Sequence, residues 1–339
     1  MTQRVLVTGS EGFTGRYVCD EFTSAGWEVW GAGVQPKPDN PRYLNINLLE
    51  PETLRLVGER AKPHVVVHLA ASAFVAEADP TAFYNVNLLG TRHLLEALST
   101  APAPPLCTIL ASSANVYGNS TLEVLDETAD THPANDYAVS KLAMEYLAKT
   151  YMTRLGIVMT RPFNYTGVRQ EPRYLIPKIV NHFKARAPHI ELGNTDVARD
   201  FSDVRDVARA YRLLAEVQPL GETFNLCSGE ATALETCIRM AAEITGHDME
   251  VRVNPDFVRA NEVKTLRGCS EKLDHATGRE RRYGIRDTLQ GRRNRHNFSD
   301  HTLQSIAIIP PVHNVRNGRV QGCRILEPLA QEMPSQNRP

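Results

Sequence analysis

Eleven residues near the start constrain the fold more than any other stretch. Val5-Leu6-Val7-Thr8-Gly9-Ser10-Glu11-Gly12-Phe13-Thr14-Gly15 joins a short apolar β-rich run to a glycine-rich turn, and a helical pattern follows to Ala25, where Gly26 ends it. Strand, glycine turn and helix in that order make a phosphate cradle. Gly9 permits the tight turn, Gly12 lets backbone approach a pyrophosphate and Gly15 allows close helix–strand packing. The helix N-terminus supplies the positive end of a dipole. The spacing is Gly-x-x-Gly-x-x-Gly rather than the commoner Gly-x-Gly-x-x-Gly, so its place in the first strand–helix unit carries the argument.

The alternation continues. Glu28 to Ala32 reads as a second strand. Val65-Val66-Val67-His68-Leu69 is a third, apolar enough to be buried on both faces as in a parallel sheet. A helical pattern spans Phe83 to Leu98, and Leu106 to Ala111 is a strand that delivers Ser112 and Ser113 at its carboxyl end. A helix opening at Asp136-Tyr137 runs to about Leu155, before a strand from Ile157 to Thr160. Strands alternating with helices imply an α/β, doubly wound parallel sheet. Past Asn164 the rhythm becomes irregular: helix Ile176 to Lys184, strand Ile190 to Leu192, helix Asp203 to Glu216, strand Thr223 to Leu226, helix Leu234 to Thr245. We therefore expect a dinucleotide-binding domain over 1–164, a smaller mixed α/β substrate-holding lobe over 165–289 with some segments returning to the main sheet, and a variable, loosely ordered extension over 290–339. The stretch from Arg279 onward is rich in arginine, has no lysine and shows little periodicity.

Bulk composition excludes several classes. With 42% apolar and 23% charged residues the 339-residue chain is globular, and a formal net charge of −1 argues against a nucleic-acid or anionic-membrane partner. Cys19, Cys107, Cys227, Cys237, Cys269 and Cys323 lack ligand-like spacing, so no metal site is expected. No signal peptide and no bilayer-length apolar run is evident, and a cytoplasmic setting is expected.

Tyr137 and Lys141 lie four residues apart and share a helix face. A phenol beside an ammonium can exchange a proton. At ~4 Å and an effective dielectric of ~20 the attraction is about 4 kcal/mol, enough to draw a phenol from about 10 towards 7. Tyr-x-x-x-Lys alone is a common accident on helices; two further stretches give it weight. They are the glycine turn and Ser112-Ser113-Ala114-Asn115-Val116-Tyr117-Gly118.

With His68-Leu69-Ala70-Ala71 and Arg161-Pro162-Phe163-Asn164, these motifs resemble the extended short-chain dehydrogenase/reductases (the NAD-dependent epimerase/dehydratase family) over residues 3 to about 289. The resemblance implies a Rossmann-type fold, NADP or NAD as cofactor and a homodimer. It implies Ser113, Tyr137 and Lys141 as catalytic residues, with Ser113 on the reacting sugar oxygen, Tyr137 exchanging its proton and Lys141 tuning Tyr137 and holding the nicotinamide ribose. Gly9, Gly12, Phe13, Gly15, Asn47, Leu48, Leu69, Ala70, Ala71 and Pro162 would line the cofactor with Tyr137 and Lys141. Asn87 reads as structural, and His68, inside a strand, as a packed histidine. No carboxylate ends the second strand, where Ala32-Gly33-Val34 stand; this leans towards NADP, although no arginine is close by in sequence to receive its phosphate.

The stretch Gly193 to Asp206 resembles the branch that binds GDP-linked 6-deoxyhexoses, and Arg259-Ala260-Asn261-Glu262-Val263 resembles its later nucleotide loop. Arg199 and Arg259 would pair with the diphosphate, Glu262 would accept from ribose or guanine, and Asn164, helped by Lys178, would hydrogen-bond the diphosphate. The alternative that these are surface ion pairs stays open for Lys178 in particular. Dehydratases of this branch need an acid–base pair just after the catalytic serine, and Ala114 and Asn115 cannot shuttle a proton. The implied reaction is reduction of the C4 ketone of GDP-4-keto-6-deoxy-D-mannose to GDP-D-rhamnose or GDP-6-deoxy-D-talose. The alternatives are a nucleotide-sugar 4-epimerase retaining NAD, a 4,6-dehydratase and a non-catalytic dinucleotide sensor.

Overall fold

In the computed structural model, residues 2–73, 79–258 and 264–294 are described. They belong to one compact unit, residues 1–296. The strands are β1 Arg4–Thr8, β2 Glu28–Gly33, β3 Tyr43–Asn45, β4 Val65–His68, β5 Cys107–Ala111, β6 Ile157–Pro162, β7 Asn164–Thr166, β8 His189–Leu192, β9 Ala198–Asp203, β10 Thr223–Leu226, β11 Ala231–Ala233, β12 Glu250–Val253 and β13 Thr265–Leu266. The helices are α1 Phe13–Ser24, α2 Pro51–Leu56, α3 Thr81–Phe83, α4 Thr91–Ser99, α5 Asp136–Lys149, α6 Leu175–Lys184, α7 Val204–Val217, α8 Leu234–Thr245, α9 Glu271–Thr277 and α10 Ile285–Asn294.

Seven strands form a parallel sheet in the order β10-β6-β5-β4-β1-β2-β3. Both faces are covered because both sets of alternating side chains are apolar. Val5, Val7, Val65 and Val67 pack with Val18, Phe22 and the buried side of α7. Leu6, Val66 and Leu110 face the other way, onto Leu94, Leu95, Leu98 and Met144. Chain order reverses between β1 and β4, so a crevice opens above their carboxyl ends at a topological switch point.

Most expected elements are present, with informative differences. The expected helix over 83–98 is a run from α3 to α4 through Tyr84–Gly90, where the winding widens to i→i+5. Helix α5 stops at Lys149 rather than near Leu155, its end continuing as turns from Thr150 to Arg154. Strand β3 and helix α2, three and six residues long, are too short for a period to show in the sequence. After Asn164, β10 returns to the large sheet beside β6. Strands β7, β11 and β13 gather around β9, and β8 pairs with β12. A separate core there joins Ile176, Ile179 and Phe183 of α6 to Leu234 and Cys237 of α8 and Leu289 of α10. Helix α10 is tied down where Thr288 Oγ1 donates to Asp203 at 2.7 Å. The expectation for 290–339 falls outside the described residues after Asn294.

Candidate functional site

The tight turn and close helix packing expected of Gly9 and Gly15 are present. Gly9 takes φ +69°, and a Cβ there would sit 2.9 Å from the Ala70 nitrogen. A Cβ on Gly15 would lie 2.1 Å from the Gly9 carbonyl oxygen, so only glycine lets α1 pack on the turn. The turn is tied to the end of β2, Gly9 N donating to Ala32 O at 2.8 Å. Gly12 caps α1 in an extended conformation with no side-chain capping bond, which leaves first-turn N–H groups for an outside acceptor. That uncapped, glycine-lined N-terminus beside the switch point fits a pyrophosphate. Phe13 stacks on Tyr165 with ring centroids 6.1 Å apart, and the Thr14 and Tyr165 hydroxyls are 2.8 Å apart, bracing the turn against β7.

Strand β4 ends beside the turn. His68 is 2% exposed and bonded on both sides: Nδ1 to Thr8 Oγ1 at 2.7 Å and Nε2 to Thr91 Oγ1 at 3.0 Å. Thr91 donates onward to Asn87 O and Thr8 Oγ1 accepts from Ala70 N, so the neutral ring with its proton on Nε2 satisfies every partner. Burial, helped by the Lys141 charge, lowers His68 to about 3. It is a packed histidine that steers Ala70. Asn87 clamps the same loop: its side chain bonds Ser72 N at 2.9 Å, Ser72 O at 3.0 Å and Ser140 Oγ at 3.0 Å.

Ser113, Tyr137 and Lys141 converge at the carboxyl end of β5, all buried. Ser113 is extended and caps a short turn, Ala114–Tyr117, its Oγ accepting from Asn115 N at 3.2 Å. Asn135 caps α5 by accepting from Ala138 N at 2.9 Å, which starts the helix one residue before Tyr137. The Tyr137 ring packs edge-on against Phe83, centroids 5.7 Å apart.

The expected acidification of Tyr137 by Lys141 is not what the geometry gives. Burial raises the phenol well above its ordinary range; a hydrogen bond with the Ser113 hydroxyl pulls it down, and Tyr165 and Tyr174 push it up. The Lys141 ammonium donates to Ala111 O at 2.8 Å instead. Its own value falls to about 8, because burial outweighs the favourable field of Glu145. The simple Coulomb argument left out desolvation, which in a site this closed is the larger effect.

Behind these residues lies a buried polar hub that the motif reading did not resolve. Arg161 grips Glu145 of α5 with two bonds, Nε to Oε1 at 3.0 Å and Nη2 to Oε2 at 2.7 Å. Its Nη1 donates to the Tyr117 hydroxyl at 3.1 Å, which donates to Asn225 Oδ1 at 2.7 Å. Glu145 stands one turn beyond Lys141, so the pair pins α5 to β6 and to the turn that begins at Ser113. The run Tyr137, Lys141, Glu145 at intervals of four was the available signal.

The remaining expected residues are more scattered. Asn47, after β3, binds its own loop, Nδ2 to Glu50 at 2.8 Å. The Leu48 side chain is in the core against Gly90. Leu69 and Ala71 follow β4, and Pro162 ends β6. Asn164 is exposed at the start of β7. Arg199, on β9, donates to Ala198 O at 2.8 Å. Lys178 is not with them: its ammonium donates to Glu191 O at 2.7 Å and lies over the Phe257 ring, in an open pocket of about 250 Å³ shared with His182 and His189. Arg259 and Glu262 fall outside the described residues. Among the described residues no group of three metal-ligating side chains occurs, five cysteines are free, and no helix is long and apolar enough to cross a membrane.

A doubly wound sheet with a glycine-cradled helix at its switch point, and a serine, a tyrosine and a lysine beside it, defines a dinucleotide-dependent oxidoreductase. Comparison with known proteins narrows this. The model of the NAD dependent epimerase/dehydratase family matches residues 5–227, and the chain belongs to that family. It is 34% identical over 284 residues to the GDP-6-deoxy-D-talose 4-dehydrogenase of Aggregatibacter actinomycetemcomitans, covering 83% of this chain and 93% of that one. It is also 34% identical over 301 residues to the GDP-6-deoxy-D-mannose reductase of Pseudomonas aeruginosa, covering 86% and 96%. Among solved structures, a protein of Burkholderia cenocepacia J2315 assigned provisionally as an epimerase superposes with TM-score 0.80 at 50% identity, over 85% of this chain and 96% of that one. RMD from Pseudomonas aeruginosa, complexed with NADPH, gives 0.76 at 32%, over 86% and 97%. The protein is an NAD(P)-dependent nucleotide-sugar oxidoreductase.

Proposed function

We propose that the protein reduces the C4 ketone of GDP-4-keto-6-deoxy-D-mannose, giving GDP-D-rhamnose or GDP-6-deoxy-D-talose. The observation that carries this reading is the pairing of Ser113 with a phenol held protonated by burial, at the end of β5, followed by residues without acid–base capacity. Ala114 is 2% exposed and faces the core, and Asn115 gives its N–H back to Ser113, so the pair a dehydratase would need after the serine is missing. Two relatives named for GDP-6-deoxyhexoses support the substrate class.

The bound nicotinamide cofactor would supply hydride. The chain's own residues do the rest. The α1 N-terminus holds pyrophosphate, with Gly12 and Phe13 at the approach and Ala70 fixed by Thr8. Ser113 hydrogen-bonds the ketone oxygen and Tyr137 gives that oxygen its proton as charge develops. The Lys141 ammonium, charged below about pH 8, stabilises the phenolate left behind. Asn164 and Arg199, both on strands around β9, are taken to meet the diphosphate. Incubation with GDP-4-keto-6-deoxymannose and NADPH or NADH should consume reduced cofactor and yield a GDP-6-deoxyhexose. Interconversion of UDP-glucose and UDP-galactose without added cofactor would sink the reading.

A 4-epimerase is the second reading, favoured by the 50% identical structure. It predicts stoichiometric NAD in the purified protein, which the reductase reading does not. A homodimer through the outer faces of α4 and α5 would cover exposed Val139 and Tyr146 and neighbouring Leu89; a monomeric mass in light scattering would count against it.

A further inference from the structure

The proposed reaction asks Ser113 and Tyr137 to meet one ketone oxygen, yet they arrive on different elements. Ser113 opens the short turn Ala114–Tyr117 after β5, and Tyr137 lies in the first turn of α5. Between them runs a loop over 118–135. The two hydroxyls share a hydrogen bond. A loop cannot by itself hold two groups to within the ~0.5 Å that a shared oxygen requires; packing behind them has to do it.

Arg161 of β6 stands where that support is needed. Its Nε and Nη2 hold both oxygens of Glu145, at 3.0 and 2.7 Å, about two turns along α5 from Tyr137. Its remaining nitrogen, Nη1, donates to the Tyr117 hydroxyl at 3.1 Å, at the far end of the serine turn. The guanidinium also lies 4.9 Å from the centroid of the Tyr117 ring. The loop is caught at the same place. Nη1 reaches Glu127 O at 3.5 Å, and Asn225 of β10, which accepts from Tyr117, donates through Nδ2 to Leu125 O at 2.9 Å. The stretch from Ser113 to α5 is thus held near its start, at its middle and beyond its end by one cluster.

Stability alone does not account for this arrangement. Arg161 is 8% exposed, Glu145 3% and Tyr117 0%. A pair of charges buried so deeply is often no more stabilising than apolar residues of like volume. What a two-pronged pair supplies is geometry, fixing distance and rotation where an apolar contact can slide. Burial pushes the Tyr117 phenol up to about 12 against the pull of Arg161, so it stays a donor to Asn225 and the network keeps one polarity.

We propose that Tyr117 and Arg161 are positioning residues for the reaction, setting the Ser113 hydroxyl against the Tyr137 hydroxyl so that both meet one substrate oxygen. Arg161 acts through Tyr117 on the serine turn and through Glu145 on α5. The inference rests on the Ser113–Tyr137 reading of the site.

The test is a double-mutant cycle on the full-length protein, assayed with GDP-4-keto-6-deoxymannose and NADPH or NADH. Tyr117→Phe keeps the ring and removes only the hydroxyl. It should lower kcat about tenfold, with KM changed by under about twofold, as expected of misplaced reacting groups. In a Ser113→Ala protein the same change should cost under about twofold, because the group it positions is gone. Arg161→Lys keeps the charge but cannot span Glu145 and Tyr117 together. It should show the same dependence on Ser113, and it decides the matter if Tyr117→Phe does not fold. Without substrate, the NMR signal of isotope-labelled Tyr137 Cζ, assigned by its loss in Tyr137→Phe, should move in Tyr117→Phe in the direction that Ser113→Ala moves it. An equal factor in both backgrounds, an unchanged kcat or an unmoved signal overturns the proposal. A parent protein that reduces no GDP-linked ketone, while the signal moves as expected, removes the proposed reaction and leaves the positioning of the two hydroxyls standing.

Discussion

The end of β5 and the strands around β9 solve different problems with polar side chains. Around β5, Ser113, Tyr137 and Lys141 are buried, and the groups behind them are paired: Arg161 with Glu145, Tyr117 with Asn225. Around β9, Asn164 is exposed, Arg199 rests on a carbonyl of its own strand, and Lys178 on that of β8. The first region is built before any ligand arrives. The second sets Asn164 and Arg199 on the strands around β9, where the proposed reading has them meet the diphosphate. On the proposed reading, chemistry is lodged where desolvation amplifies each contact, and recognition nearer the surface.

The contrast can be broken most sharply at Tyr137. Tyr137→Phe should lower kcat by about 10²–10⁴-fold while leaving cofactor binding, read by NADPH fluorescence, near that of the parent. Retained turnover would mean that another group supplies the proton. Next is the hub. Arg161→Met strands the Glu145 carboxylate in the core and should destabilise the protein by about 3–5 kcal/mol in urea titration. A loss under 1 kcal/mol would show that the pair is not holding α5.

Titration should sharpen the comparison further. His68 is neutral in the folded protein down to about pH 3, against 6.5 ordinarily. The unfolded chain binds the extra proton, so this group makes stability fall as pH drops from 6.5 to 3, by up to about 1.4 kcal/mol per unit. Lys141 is also lowered, from 10.5 to about 8. Between those values the unfolded chain again holds more protons, so its contribution to stability rises with pH while the ammonium proposed to act on Tyr137 is lost. Activity should decline above about pH 8 as this contribution grows; a stability profile flat through both windows would contradict the assigned burial. The smallest effect is expected at Lys178. Lys178→Ala should change KM by no more than about threefold and kcat not at all, because a contact this exposed is worth ~1 kcal/mol or less. A tenfold rise in KM would place it on the substrate after all.

What could be read from the residues follows the same division. The β1 turn, β4, β5, α1, α8 and β10 were legible because each has a strong local period or a glycine with a steric reason, as Gly9 and Gly15 have. Ser113, Tyr137 and Lys141 were legible as types at a spacing. Their energetics were not, since the direction of the Tyr137 shift depends on burial and on the reach of Lys141 to Ala111, neither visible in the chain's order. The short strands β3, β7, β11 and β13 were missed, because they owe their existence to neighbours rather than to their own pattern. For Lys178 the charge was legible, but not the Glu191 carbonyl that takes it.

The measurement that tests the central claim most directly is transfer of label. GDP-4-keto-6-deoxymannose is incubated with cofactor deuterated at the transferring position of the reduced nicotinamide, and the GDP-sugar product is analysed by mass spectrometry and NMR. One deuterium at C4 of a 6-deoxyhexose, with one cofactor oxidised per sugar, is the predicted result. An unlabelled sugar, or an altered sugar with no net oxidation of cofactor, would contradict the account.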